Sequence, residues 1–288
     1  MAEPSDDLLA RGAAMARKLA PQLCRKNSAA GESCDWYHGL WQDLRLLGLA
    51  ATPEQQADFF RNSLARFSKR SPRLLISGSA DYSILAHVLS ACARNQIAAD
   101  ITVMDICETP LYFNRWYAEQ MGFRIHTIQT NILDHSFEPE FDAIYSHGFL
   151  GLFPQAQRAR LVQQWGRALK PGGVAISVNR IRPGASGGEV KFSESQGHEF
   201  CNTLAAKLQD QALAESERSA ILNRAKIYVE RLVGYSLPQE ELTALFQEAG
   251  FRMDECQIIS TGASRGKPGG PAIPSHAQHA CVIAAKFQ

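Results

Sequence analysis

The sequence predicts an α/β protein whose doubly wound, seven-stranded, mostly parallel sheet is closed by a terminal β-hairpin. Three observations predict it. An apolar strand, Arg73 to Ser77, runs without pause into Gly78 and then into a helix where Ile84, Leu85, Val88 and Leu89 recur at helical spacing. A second strand, Ile101 to Met104, follows and ends on a carboxylate, Asp105. Beyond it strands and helices keep alternating, with no repeat of solenoid period.

Composition narrows the function. At 288 residues and 45% hydrophobic content the chain can bury a sizeable core. A net charge of +1 gives no global attraction to nucleic acid or anionic lipid, so the expected partner is a small molecule, with a homodimer left open. The seven cysteines, at 24, 34, 92, 107, 201, 256 and 281, include no C-x-x-C pair and are odd in number, which suits reduced thiols in a cytoplasmic protein and predicts no metal site. No apolar run near residue 1 has the length of a signal-peptide core or a membrane span.

The elements follow in order. Residues 5 to 26 read as an amphipathic helix carrying Leu8, Leu9, Met15, Leu19 and Leu23, and an aromatic cluster from Cys34 to Trp41 continues helically through Leu44 and Leu47. Thr52, Pro53 and Gln55 form a helix-start signature ahead of Phe59, Phe60, Leu64 and Phe67. After Asp105 come a helix from Pro110 to Met121, a third strand from Phe123 to Gln129 and a fourth from Phe141 to Ser146. A helix from Pro154 to Ala168 stops at Lys170-Pro171-Gly172-Gly173, and Val174 to Val178 is the fifth strand. Residues 193 to 233 then read as a helical insertion with an Ile221, Ala225, Tyr228, Val229, Leu232 stripe. A second capping signature, Ser236 to Gln239, opens a helix ending at Gly250, and Arg252 to Ile259 and His279 to Phe287 are the last strands, separated by a Gly/Pro/Ser-rich loop from Thr261 to Gln278. The expected division is a helical lid and substrate region at 1–70 and a Rossmann-like domain at 71–288, with a helical cap at about 184–235.

These segments resemble the class I S-adenosylmethionine-dependent methyltransferases over about residues 73 to 182 and 236 to 287. The resemblance is carried by the Gly78 turn, by Asp105, by Asn131-Ile132 after the third strand, and by Phe141-Asp142-Ala143-Ile144 followed by Leu169-Lys170-Pro171-Gly172-Gly173. Glu248-Ala249-Gly250-Phe251 adds the helix end before the sixth strand. The resemblance implies transfer of a methyl group from S-adenosyl-L-methionine, leaving S-adenosyl-L-homocysteine. It also implies a cofactor site in which Gly78, Ser79, Ala80 and Tyr82 face the methionine, Asp105 takes the ribose hydroxyls, Ile106 and Ile132 sandwich the purine, Asn131 meets the adenine edge and Ser146 lies close by.

The glycine pattern departs from G-x-G-x-G, with Ala80 and Tyr82 at the second and third positions. A cofactor without a pyrophosphate tolerates this better than a dinucleotide does, which weakens an NAD reading. No tyrosine has lysine four residues later, as a short-chain dehydrogenase needs, and Gly262 to Lys267 fails as a P-loop because Pro268 stands where Ser or Thr belongs. Ser146-His147-Gly148-Phe149 lacks the two prolines that the family's nucleobase-amine enzymes carry there.

An O- or N-directed methyltransferase of a small metabolite is therefore expected. His147 is the candidate base, and Tyr37 and His38 are further catalytic candidates on the aromatic helix. Trp41, Phe149, Arg180 and Arg182 are candidate substrate residues, the arginines suiting an acidic acceptor. Two alternatives stay open: a noncatalytic S-adenosylmethionine-binding partner protein, and a protein or peptide methyltransferase.

Overall fold

A computed structural model describes residues 6–24, 33–50, 52–66, 71–182, 188–261 and 277–287. Its main sheet has the order β3-β2-β1-β4-β5-β9-β8, formed by β1 (Arg73–Ser77), β2 (Asp100–Asp105), β3 (His126–Gln129), β4 (Phe141–His147), β5 (Leu169–Ile181), β8 (Phe251–Thr261) and β9 (Ala277–Lys286). The pairs from β3 to β5 are parallel, whereas β9 runs antiparallel to both β5 and β8. This is the expected doubly wound sheet with a terminal hairpin.

Alternation along the strands sends side chains to two cores. Leu74, Ile76, Val103, Ala143, Tyr145, Ile176 and Ile283 face one side, under α3 (Ala57–Ser63), α4 (Ser83–Arg94) and α5 (Glu108–Gln120). Leu75, Met104, Ile144, Ala175 and Val282 face the other, under α6 (Gln155–Ala168) and α9 (Gln239–Glu248). Trp165 of α6 is fully buried and its Nε1 donates to Ser77 Oγ at 2.9 Å, fastening that helix beneath the end of β1.

A third core lies outside the sheet. Leu40 and Leu44 of α2 (Asp35–Leu46) pack with Phe200, Leu204 and Leu208 of α7 (Glu194–Gln209) and with Ile221, Ala225 and Tyr228 of α8 (Glu215–Arg231). The N-terminal helix and the insertion thus meet each other. Tyr37 stacks on Trp41 at 5.3 Å and on Tyr228 at 6.1 Å, and Tyr228 stacks on Phe200 at 5.6 Å, so four rings form one column. Helix α1 (Asp6–Leu23) packs on α2 and α5.

Several boundaries differ from expectation for physical reasons. The Thr52 signature opens a 3-10 turn, Pro53–Gln56, with no side-chain cap, and α3 is correspondingly short; Phe67 lies outside the described residues. Ser236 does not cap α9 either: the N-cap position falls to Pro238, and the Ser236 hydroxyl is buried with no hydrogen-bond partner among the described residues. By contrast Ser193 and Gln196 make a full capping box for α7. Strand β5 starts earlier than expected, at Leu169 opposite Phe141, and the register then jumps to Val174 opposite Ala143. The extra residues loop out through Gly172, whose φ of +74° glycine tolerates without a Cβ penalty. A two-residue ribbon, β6 (Glu189–Val190) with β7 (Gly234–Tyr235), joins the two ends of the insertion, and alternation was too short there to announce it. Most of the expected loop at Thr261 to Gln278 lies outside the described residues.

Candidate active site

The parallel strands place the C-terminal ends of β1, β2 and β4 on one edge, where doubly wound sheets hold ligands. At the end of β1 the chain turns through Gly78 at φ +71°, with its N–H bonded to Met104 O at 3.0 Å. A Cβ on this residue would lie 2.5 Å from the Phe149 ring, so glycine is required both by the backbone angle and by the aromatic wall against it. Asp105 faces the same turn. Its Oδ2 accepts from Ser79 N at 3.0 Å and its Oδ1 from Cys107 N at 2.8 Å.

Burial raises the Asp105 carboxyl to about 6, against the opposing pull of those two backbone N–H groups and of His38. Each oxygen spends one lone pair on the backbone and keeps another, enough to accept a pair of hydroxyls. Beside it Ile106 is 54% exposed, an unusual state for a large aliphatic residue, while Ile132 is buried. The apolar wall and the acceptor stand side by side.

The turn after Gly78 is held from two directions. Asn114 Nδ2, on α5, reaches Ser79 Oγ at 3.3 Å and Asp81 O at 3.2 Å, and the Ser79 hydroxyl itself donates to Asp81 O. Asp81 Oδ1 accepts from Ser83 N at 2.8 Å, capping the first turn of α4. From the helical cover, Arg45 of α2 binds Asp81 Oδ2 at 2.7 Å and Glu54 Oε1 at 2.5 Å. Burial works against ionised Glu54, yet Arg45, the hydrogen bond with Thr52 and the smaller backbone and His87 contributions together outweigh it and hold that carboxyl low.

Tyr82 is not at the surface of the cleft. Its ring is fully buried, stacked on Tyr117 at 4.5 Å with Arg45 on its other neighbouring side at 5.3 Å, so it stiffens the turn from within. Ala80 is half-buried in the turn. Asn131 forms its own local turn, with Oδ1 accepting from Leu133 N at 3.1 Å and Nδ2 donating to Asp134 at 2.7 Å.

At the end of β4, Ser146 is buried with an Oγ that has no hydrogen-bond partner among the described residues. His147 points to the opposite face, where Nε2 meets Gln56 Oε1 at 3.1 Å and the ring lies 6.3 Å from Phe60. Burial first, and then the charge of His279, lower His147 to about 3, so the imidazole is neutral at physiological pH. Arg180 pairs in register with His279, and its buried Nη2 has no hydrogen-bond partner among the described residues. Burial, with Arg182 nearby, brings Arg180 down to about 10. Arg182 is also lowered by burial, and its N–H bonds Leu237 O at 3.1 Å.

Tyr37 reaches this edge from above: burial raises its phenol, and Tyr228, Asp81 and Asp105 add to the shift. Trp41, its stacking partner, has a buried Nε1 with no hydrogen-bond partner among the described residues. For His38 burial opposes the charged form, but the sulfurs of Cys107 and then Cys34 outweigh it and raise the ring to about 10.

Residues 85–173 match the model of a methyltransferase domain. Over that stretch the chain carries a methyltransferase domain. Solved structures of methyltransferases share the fold of the chain at low identity. The 1,6-didemethyltoxoflavin-N1-methyltransferase of Burkholderia thailandensis, with bound 1,6-didemethyltoxoflavin and S-adenosylhomocysteine, aligns at TM-score 0.54 and 14% identity, over 100% of this chain and 93% of its own. An S-adenosylmethionine-dependent methyltransferase from Methanosarcina mazei aligns at 0.50 and 14%, over 78% and 97%. A geranyl diphosphate methyltransferase in complex with S-adenosylmethionine aligns at 0.51 and 11%, over 81% and 84%. No curated protein sequence matches the chain.

Within this methyltransferase, sequence reasoning missed Arg45, Asp81 and Asn114, which lock the turn, because nothing local in a sequence marks a pair formed between distant helices. It also missed a cluster. Where no metal site was expected, the sulfurs of Cys24, Cys34 and Cys107 converge to within 4.8 Å of one another. Among the described residues no helix is long and apolar enough to cross a membrane.

Proposed function

We propose that this methyltransferase moves a methyl group from S-adenosylmethionine to an oxygen or nitrogen of a small metabolite, enclosed between the sheet edge and the cover made by α2, α7 and α8. The observation that carries the reading is the juxtaposition of the Gly78 turn, the Asp105 carboxylate with lone pairs to spare, and the exposed Ile106. The cofactor, when bound, supplies an electrophilic methyl on a sulfonium, which needs alignment and exclusion of water more than covalent help.

Asp105 accepts the ribose hydroxyls, Ile106 and Ile132 bracket the purine, and Asn131 fixes the turn beside the adenine edge. Gly78, Ser79 and Ala80 let the backbone approach the methionine, with Tyr82 bracing them and Ser146 offering its free hydroxyl. His147, neutral and held by Gln56, is too weak a base at about 3 to draw a proton from a distant alcohol, so it orients the acceptor by hydrogen bonding. Tyr37 and Trp41 close the site, Phe149 forms its wall over Gly78, and Arg180 with Arg182 favours an acceptor bearing a negative group. The bound toxoflavin precursor of the Burkholderia enzyme is a small acceptor of this general kind.

Titration calorimetry with S-adenosylhomocysteine tests the cofactor site, and a folded sample that gives no binding heat overturns the reading. Incubation of the protein and a methyl-labelled cofactor with cell extract then tests the acceptor: label in the small-molecule pool is expected, and label only in protein would overturn the substrate class.

A further inference from the structure

The cysteine cluster lies outside the machinery assigned above. Cys24 directly follows α1, Cys34 is the N-cap of α2, and Cys107 is the N-cap of α5, so three separate places in the fold bring one sulfur each to a common point. Cys107 Sγ lies 3.6 Å from Cys24 Sγ and 3.6 Å from Cys34 Sγ. Ligand sulfurs held tetrahedrally at about 2.3 Å from zinc stand about 3.8 Å apart, close to those two distances. A disulfide would draw one pair together and strand the third sulfur, whereas Cys107 is equally near both others.

A candidate fourth ligand stands beside two of the three sulfurs. His38 lies one helical turn after Cys34, with its N–H bonded to Cys34 O at 3.1 Å, so the two side chains share a face of α2. The imidazole is more than nine-tenths buried, sits against Cys34 and Cys107, and its Nδ1 has no hydrogen-bond partner among the described residues. An orphaned imidazole nitrogen inside a protein needs an explanation, and a metal is one. The Thr109 hydroxyl, 3.0 Å from Cys24 Sγ, adds the outer contact that commonly orients a ligating thiolate.

We propose that Cys24, Cys34, Cys107 and His38 form a structural zinc site that ties α1 and α2 to the junction of β2 and α5. On binding, the protons held by the thiols and by the His38 ring leave for the solvent, and three thiolates with a neutral imidazole form a closed, tetrahedral Cys3His set with no open position. The site joins the helical cover to the loop holding Asp105, because the Cys107 N–H is one of the two that Asp105 accepts. It stands independently of the acceptor and of methyl transfer.

The test uses the full chain, prepared under reducing conditions and stripped with a chelator. Added Co2+ is expected to bind one ion per chain with intense thiolate-to-cobalt absorption, and Zn2+ to displace it. Cys34→Ser and Cys107→Ser should lose that absorption, while Cys201→Ser and Cys256→Ser keep it. Should the ligand variants fail to fold, alkylation of the wild-type protein followed by mass spectrometry gives the same answer. Zinc should then slow labelling of Cys24, Cys34 and Cys107 at least tenfold and leave Cys201 and Cys256 unaffected. Labelling unchanged by zinc, no cobalt–thiolate absorption, or a Cys24–Cys107 or Cys34–Cys107 disulfide with no metal uptake would each overturn the proposal.

Discussion

The floor of the site and its cover are held by different physics. On the floor, from Gly78 to Asp105, backbone groups do most of the holding: a left-handed glycine, two N–H groups on one carboxylate, a strand-to-strand bond to Met104. On the cover, side chains pack on side chains, as in the ring column of Trp41, Tyr37, Tyr228 and Phe200. The two regions meet at the ion pair of Arg45 with Asp81, whose side chains are 3% and 0% exposed. A floor set by backbone geometry is rigid and intolerant of single changes, whereas a packed cover can shift to admit a substrate.

Removing the link is expected to have the largest effect. Arg45→Met leaves Asp81 charged and buried without its partner, which should cost about 3–5 kcal/mol in denaturant unfolding. Adding Asp81→Asn should recover part of that loss. A cost under about 1 kcal/mol, the range of exposed pairs, would mean that cover and floor are not coupled through this contact.

Gly78→Ala should come next, combining about 1–2 kcal/mol of left-handed strain with the clash against Phe149. Binding of S-adenosylhomocysteine should weaken at least tenfold, and Phe149→Ala in the same protein should restore some of it. An alanine variant that binds like wild type would show the turn to be as adaptable as the cover.

Asp105→Ala removes hydrogen bonds to a charged acceptor and should weaken S-adenosylhomocysteine by about 10- to 100-fold. The pH dependence has a definite sign. The native carboxyl, at about 6, holds its proton to higher pH than an unfolded aspartate does, so in the window between about 4 and 6 the ligand-free protein should lose stability as pH rises. Hydroxyl donors favour the ionised form, so affinity for S-adenosylhomocysteine should fall as pH drops through about 6. Calorimetry at pH 5 and pH 8 reads both directions, and equal affinities would place the ribose elsewhere.

The smallest effect is expected at His147. His147→Asn should slow turnover by less than about 100-fold, leave cofactor binding unchanged, and produce no change in the pH profile between 6 and 8, since the wild-type ring is already neutral there. A wild-type inflection near pH 6.5 that vanishes in the variant would make His147 the base after all.

The same contrast governs what a reader of the sequence alone can see. Gly78, Asp105 and the Leu169 to Gly173 stretch are legible because their roles are local: a turn angle, a strand end, a helix stop. Arg45 with Asp81, and Cys24 with Cys34 and Cys107, are invisible because each residue is ordinary in its own neighbourhood and acquires meaning only where three or four elements converge. Local signals also mislead. Thr52 and Ser236 carry good capping sequences, yet Thr52 opens only a 3-10 turn without a side-chain cap and α9 starts beyond Ser236, while Tyr82 is claimed by the core.

Strand β9 has one further bearing. It is the last strand in chain order but lies inside the sheet, between β5 and β8, and among the described residues β8 has no other strand neighbour. A message that stops translation ahead of Ala277 therefore removes an interior plank. The shortened product would carry β5 as a long open edge of unsatisfied N–H and C=O groups, beside an orphaned β8, both free to recruit strands from other chains. Such truncations should be recovered as aggregate, with the nucleotide-binding half largely intact in sequence and lost in practice.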